Sequence, residues 1–269
     1  MKNTLAIFAA AALLSGAQAE DKIVIKGSDT LGAKMVPQLS EAYKEAGNAA
    51  TFEIAAEGSS VAFTSLLAGA SDIGMSSRDI KKEETEEFTA KGLKVKEWVG
   101  GHDMIGIIVN GKNGLTNITL EQIEGIFTGD IKDWSEVGGE AGPISVYTRN
   151  TSSGTYKSFQ EMAMKKRDYG SDTQKMAGNE QIAEEVAKNP NGIGYVGLAY
   201  ASKEGVKAIA VDGVELKPEN KTTYPIARTL FYYTVEGKTS PAAEKFLTWA
   251  TSDDKAVEVI ERVGFITFK

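Results

Sequence analysis

Cysteine is absent from this sequence, and histidine occurs once, at position 102. Without cysteine there is no disulfide staple, so stability has to come from core burial. The same two shortages deprive structural zinc of its usual ligands and confine any Ser-His-Asp or Cys-His arrangement to His102. Positive charge is also short: 30 Lys and Arg stand against 37 Asp and Glu, a formal net charge of −7. That balance disfavours a basic surface for nucleic acid. No stretch beyond the amino-terminal segment approaches the roughly 20 apolar residues of a membrane helix. Neither G-x-x-x-x-G-K-S/T nor a G-x-G-x-x-G behind an early strand is present, so no nucleotide or other cofactor and no metal is implied.

The amino terminus has its own pattern. Lys2 precedes an apolar run over 5–14, and Ala17, Gln18 and Ala19 form an A-x-A cleavage pattern. Residues 1–19 therefore read as a secretory signal cleaved before Glu20. The run is about ten residues, too short for a bilayer core of ~30 Å. Composition overall, 42% hydrophobic and 25% charged, is that of a globular chain with material for a core, and the length suits one large domain or two lobes.

Short β-branched runs alternate with amphipathic stretches. Strands are expected at 22–26, 50–55, 71–75, 104–110, 144–148, 192–196, 208–211 and 226–233, with helices over 31–45, 61–67, 119–127 and from 240 to 251. The alternation implies βαβ units, a mostly parallel sheet and an α/β fold. The runs at 104–110 and 226–233 are longer and more apolar than the rest. In a two-lobed protein they would carry the chain from one lobe to the other and back; a single doubly wound sheet is the alternative.

One local pattern recurs: a strand, then a small polar run, then usually a helix. It occurs at Gly27 to Thr30, at Gly58 to Ser60, at Ser76 to Arg78 and at Ser153 to Thr155. Helix capping accounts for any one of these alone. Four together mean more, because parallel strands align their carboxyl ends along one edge, where ligands bind. Helix N-termini present unsatisfied N–H groups and a positive dipole end, and Ser and Thr hydroxyls add rotatable donors. Converging, they suit a small tetrahedral oxyanion without any lysine cluster. An acidic chain can thus hold an anion, since net charge governs steering and local donors govern a site. Arg149 and Arg78 are the cationic candidates, each able to donate two parallel bonds. Gly192 and Gly194 lie within a strand and read as close backbone packing. The adjacent His102 and Asp103 read as a hinge or cleft-rim feature.

The segments RNTSSGT (149–155), SDIGMSSR (71–78), IFTGDIKDW (126–134) and GIGYV (192–196) occur in an order that resembles the periplasmic phosphate-binding proteins, the solute-binding component of phosphate ABC importers. The resemblance spans nearly all of residues 20–269. It implies a two-lobed type II periplasmic binding-protein fold, each lobe a mostly parallel sheet flanked by helices, with the ligand in the interlobe cleft. Lobe 1 would comprise 20–105 plus 228–269, and lobe 2 residues 106–227. The implied phosphate-binding set is Ser28, Thr30, the Leu31 backbone, Ser59, Ser77, Arg149, Ser153, Gly154 and Thr155. Members of the family often carry aspartate where this chain has Ser77; that aspartate accepts the proton of hydrogen phosphate, which sulfate lacks. Asp29, Asp103 or Arg78 would then act as acceptor or support, with Asp103 expected to order Arg149. The implied function is capture of inorganic phosphate by hinge closure and delivery to ABC permease subunits, by a periplasmic monomer that is not an enzyme. No cysteine follows the signal pattern to carry a lipid anchor. The alternatives are a binder of another oxyanion (sulfate, molybdate, a phosphonate) and a secreted phosphohydrolase. The hydrolase lacks a histidine cluster or carboxylate-rich metal motif in the sequence.

Overall fold

A computed structural model describes residues 21–268. The signal pattern at 1–19 lies outside the described residues. Strand β1 (Asp21–Gly27) alternates, burying Ile23 and Ile25, and leads through a π-helical turn (Leu31–Met35) into α1 (Val36–Glu45). There follow β2 (Ala50–Ala55), α2 (Ser59–Leu67), β3 (Ile73–Ser76), α3 (Lys82–Ala90) and β4 (Val95–Asn110). The central region comprises β5 (Asn117–Ile118), α4 (Leu120–Thr128), β6 (Ser145–Arg149), α5 (Gly154–Ala163), β7 (Gln174–Met176), α6 (Asn179–Lys188), β8 (Gly192–Gly197) and β9 (Val206–Val211). The chain closes with β10 (Ala227–Val235), α7 (Pro241–Ala250) and α8 (Asp254–Arg262).

The strands run in the order β2-β1-β3-β10-β4-β8-β6-β7, with β9 joined to β4 and β5. The flanks are parallel, β1 with β2 and β3 on one side and β6 with β7 and β8 on the other. The middle is not: β10 is antiparallel to both β3 and β4, and β4 is antiparallel to β8 and β9. The sheet is therefore mixed, and it turns about β4. Up to Met104 that strand pairs with β10; from Ile105 it pairs with β8. One shared strand thus serves two lobes, which separates this fold from a single doubly wound sheet. One apolar cluster gathers Ile25, Leu39, Phe246 and Ile260 and reaches Ile182 and Val196 beneath α6. A second gathers Ile107, Ile123, Phe127, Phe159 and Tyr195, and a third, smaller one gathers Phe63, Leu66, Phe88, Phe231 and Tyr233.

Local differences from the expected elements have local causes. The helix expected over 31–45 is split, because Pro37 has no N–H to donate and stands at the start of α1, behind the π-turn in which the Val36 N–H reaches Leu31 O. Helix α3 escapes sequence reading because it buries only Phe88. Helix α6 also goes unassigned, although it buries Ile182, Ala183 and Val186. Its packing explains GIGYV: a Cβ on Gly194 would lie 2.4 Å from Ile182 Cγ2, so α6 rests directly on the β8 backbone. His102, inside β4, exchanges backbone bonds with Ile266, its N–H donating at 2.7 Å and its O accepting at 3.1 Å.

Candidate anion site between the lobes

The four polar junctions converge. β1 delivers Ser28 to Leu31, β3 delivers Ser76 and Ser77, α2 opens at Ser59, and β6 ends at Arg149 before α5 opens at Gly154. Ser28 Oγ and Ser77 Oγ share a short hydrogen bond. The Ser77 N–H donates to Ser59 Oγ at 2.9 Å. Across the cleft, Thr30 Oγ1 and Thr155 Oγ1 are 3.0 Å apart. Ser153 caps α5, its Oγ accepting from Tyr156 N–H at 3.2 Å. The N–H groups of Leu31, Ser59, Gly154 and Thr155 all lie in first helical turns, before intrahelical bonding begins.

Two glycines let these turns meet. Gly58, at the cap of α2, has φ +117°, and a Cβ there would lie 2.5 Å from Ser152 Oγ. A Cβ on Gly154 would lie 2.3 Å from Ser59 Oγ. The lobes touch at this point, Ser60 N–H donating to Ser152 O at 3.1 Å and Ser152 Oγ to Glu57 O at 2.9 Å.

Arg149 lies at the base, its side chain 1% exposed. Its Nη2 donates to Ala177 O at 2.9 Å, and its Nη1 lies 3.2 Å from Asp29 Oδ2. Its Nε and Nη1 are buried and meet no hydrogen-bond partner among the described residues. Burial pushes the guanidinium pKa down from its ordinary value, and the Asp29 carboxylate opposes that shift. A buried cation with Nε and Nη1 outside any hydrogen bond among the described residues, at a junction that also gathers hydroxyls and first-turn N–H groups, is arranged to receive an oxyanion.

Ser28, Thr30, Leu31, Ser59, Ser77, Arg149, Ser153, Gly154 and Thr155 thus fall together at the junctions of the two lobes. The supporting candidates divide. Asp29 joins the cluster. Asp103 does not order Arg149, as the sequence had suggested: fully buried on β4, it takes Arg228 Nη2 at 2.7 Å and Nε at 3.2 Å, and accepts Leu198 N–H at 3.0 Å. The reason is register, since Arg228 stands opposite Asp103 in the β4–β10 ladder. Arg78 is committed elsewhere. Its guanidinium grips Glu84 bidentately at 2.6 and 2.8 Å and stacks over Phe63, 5.0 Å from the ring centre.

Sequence reading missed four participants. Arg228 also donates to Ser77 O at 3.2 Å, which Ser158 Oγ reaches at 3.1 Å. Asn179 donates to Asp29 and Thr30, and Tyr200 donates to Thr30 O at 3.0 Å. Only Arg228 carried a signal, a lone charge entering an apolar crossover run.

The model of the PBP superfamily domain matches residues 15–254. The chain belongs to the PBP superfamily. Among curated members it is similar to the phosphate-binding protein PstS of Bacillus subtilis, 30% identical, covering 93% of this chain and 81% of that protein. It is also similar to the PstS of Borreliella burgdorferi, 28% identical, covering 94% and 92%. Among solved members, a Clostridium perfringens protein with bound phosphate is 30% identical with a TM-score of 0.84, covering 93% of this chain and all of that one, 100%. The ABC-type phosphate transport receptor of Vibrio cholerae is 26% identical with a TM-score of 0.75, covering 91% and 99%.

Proposed function

We propose that this chain captures inorganic phosphate by closing its two lobes about the β4 and β10 crossover, and delivers it to the permease subunits of an ABC importer. The observation that carries the reading is Arg149, a fully buried guanidinium whose Nε and Nη1 make no hydrogen bond among the described residues, Nη1 facing only the Asp29 carboxylate, where the junctions of both lobes meet. The names of the similar proteins and the phosphate bound by the Clostridium perfringens protein support it. Ser28, Thr30, Leu31, Ser59, Ser77, Arg149, Ser153, Gly154 and Thr155 form the proposed binding set. We place the lobes at 20–105 with 228–269 and at 106–227, supported by the switch of β4 partners after Met104 and by Ile105 N–H donating to Ile226 O at 2.9 Å. The chain is read as a monomer, exported by the segment 1–19 and working outside the cytoplasm. Among the described residues no helix is long and apolar enough to cross a membrane.

Selectivity follows from the hydroxyl pair. In the bond between Ser28 and Ser77, one hydroxyl gives its proton and keeps free lone pairs, while the other keeps a proton to donate. The pair therefore offers hydrogen phosphate one donor and one acceptor. Sulfate, with no proton, leaves that acceptor unsatisfied, a cost of about 1–3 kcal/mol.

The test is isothermal titration of the anion-stripped chain with phosphate and then sulfate at matched ionic strength, repeated on Arg149→Ala. Tight phosphate binding that excludes sulfate and collapses in the variant is expected. Equal binding of both anions reassigns the ligand to oxyanions generally, and no binding reduces the junctions to helix caps. Turnover of a chromogenic phosphate ester would convert the reading to a hydrolase.

A further inference from the structure

Helix α6 begins at Asn179 behind Gly178, a cap residue with no side chain to accept from the first-turn N–H groups. The other lobe supplies the acceptor. Asp29 Oδ2 accepts from the Asn179 backbone N–H at 3.0 Å and from Asn179 Nδ2 at 2.7 Å. The same oxygen lies 3.2 Å from Arg149 Nη1. Asn179 is 0% exposed, and each of its side-chain groups is in use: Oδ1 accepts from Gly197 N–H at 3.0 Å, and Nδ2 also reaches Thr30 Oγ1 at 3.2 Å. Gly178 is part of the device, because a Cβ there would lie 2.9 Å from Asp29 Oδ1 and push the carboxylate away. Tyr200, from the second lobe as well, donates to Thr30 O at 3.0 Å.

We infer that Asp29 is a positioning residue that caps α6 across the cleft, latching the lobes shut and fixing Arg149 against the anion. Opening the cleft would return α6 to an uncapped start and strip Asp29 of both Asn179 donors and of Arg149. The latch uses no atom of the anion. The inference rests on the phosphate reading of the cleft, and the two make separable predictions.

The variants are Asp29→Ala, Asn179→Ala and Asp29→Asn, the last keeping one acceptor oxygen without the charge. The chain has no cysteine, so Glu87→Cys on one lobe and Glu161→Cys on the other give two unique sites for spin labels. Interlobe distances are measured without and with phosphate, and phosphate association and release are followed by stopped flow. With the latch, Asp29→Ala and Asn179→Ala shift the ligand-free population to longer distances. They release phosphate roughly 10- to 100-fold faster, the loss of one or two charge-assisted bonds, with association changed by less than about threefold. Asp29→Asn falls between them and the parent. Tighter phosphate binding by Asp29→Asn, or unchanged release in both other variants, overturns the latch and leaves Asp29 as a counter-charge. If the parent binds no phosphate, the functional reading falls and the ligand-free distances alone decide; no shift in either variant overturns the latch.

Discussion

Replacing Arg149 by lysine keeps a positive charge at the base of the cleft and removes the planar fork. Nη2 is held by Ala177 O at 2.9 Å and Nη1 faces Asp29 Oδ2 at 3.2 Å, while Nε and Nη1 lack hydrogen-bond partners among the described residues. A lysine has one nitrogen on a flexible stem, so it serves Asp29, the Ala177 carbonyl or the anion, but not all three in parallel. The anion loses one or two charge-assisted hydrogen bonds, each worth about 1.5–3 kcal/mol. At ~1.4 kcal/mol per decade, that is a loss of about 10- to 10⁴-fold in affinity, with the retained charge placing Arg149→Lys near 10²-fold. The ion pair with Asp29 survives, so folding stability should move by no more than ~1 kcal/mol, or about 2–4 °C in Tm for a chain of this size. Titration calorimetry reads the first quantity and differential scanning calorimetry the second. Phosphate affinity within about threefold of the parent, with Tm unmoved, would refute the argument that the fork itself binds the anion.

Other outcomes follow from the same geometry. Ser77→Ala removes one member of the Ser28–Ser77 pair and should lower the phosphate-over-sulfate ratio in competition titrations, whereas Ser77→Asp, with a permanent acceptor, should raise it. Gly154→Ala puts a Cβ 2.3 Å from Ser59 Oγ across the cleft, so it should leave the fold intact and weaken phosphate by about 10-fold or more, an overpacking cost of ~1–3 kcal/mol. Phe159, 0% exposed and stacked on Tyr195 with ring centres 4.0 Å apart, should cost about 3–5 kcal/mol as alanine and lower Tm by about 10 °C. Burial, with the nearby charge of Lys221, holds the His102 imidazole below its ordinary pKa. The unfolded chain therefore takes up this proton first as the pH falls. Stability should decline below about pH 6.5 and through the lower folded value. His102→Gln should flatten that part of the urea-midpoint profile between pH 7.5 and 5.

Much of the fold was legible because its signals are local. β-branched alternation marked most of the longer strands, and the two long apolar runs fall in β4 and β10, which pair antiparallel in the middle of the strand order. The polar junctions were legible for the same reason: a helix start needs capping chemistry within a few residues of itself, and Ser153 meets that need in plain sight. Elements without an apolar period stayed hidden. Helix α3 buries a single side chain, and β7 is three residues of a parallel edge. The mixed sheet was also out of reach, since strand direction depends on which partners β4 and β10 find.

Ion-pair partners were the least legible part of the site. Asp29, Asp103, Arg78 and Arg149 all stood out as charged residues near junctions, yet nothing local assigns one to another. Arg78 was settled by Glu84 on the following helix, close in sequence but in a helix that shows almost no periodicity. Asp103 was settled by a strand partner 125 positions away.

The sequence alone determined the alternation of strands and helices, the donor-rich helix starts and the absence of disulfides, because each depends on residue type and short spacing. Only the tertiary structure decided that Asp29 faces Arg149 and Asn179 while Asp103 faces Arg228. Those pairings are fixed by the β4–β10 register and by two lobes meeting across a cleft, and a buried charge takes whichever partner the fold brings within about 3 Å.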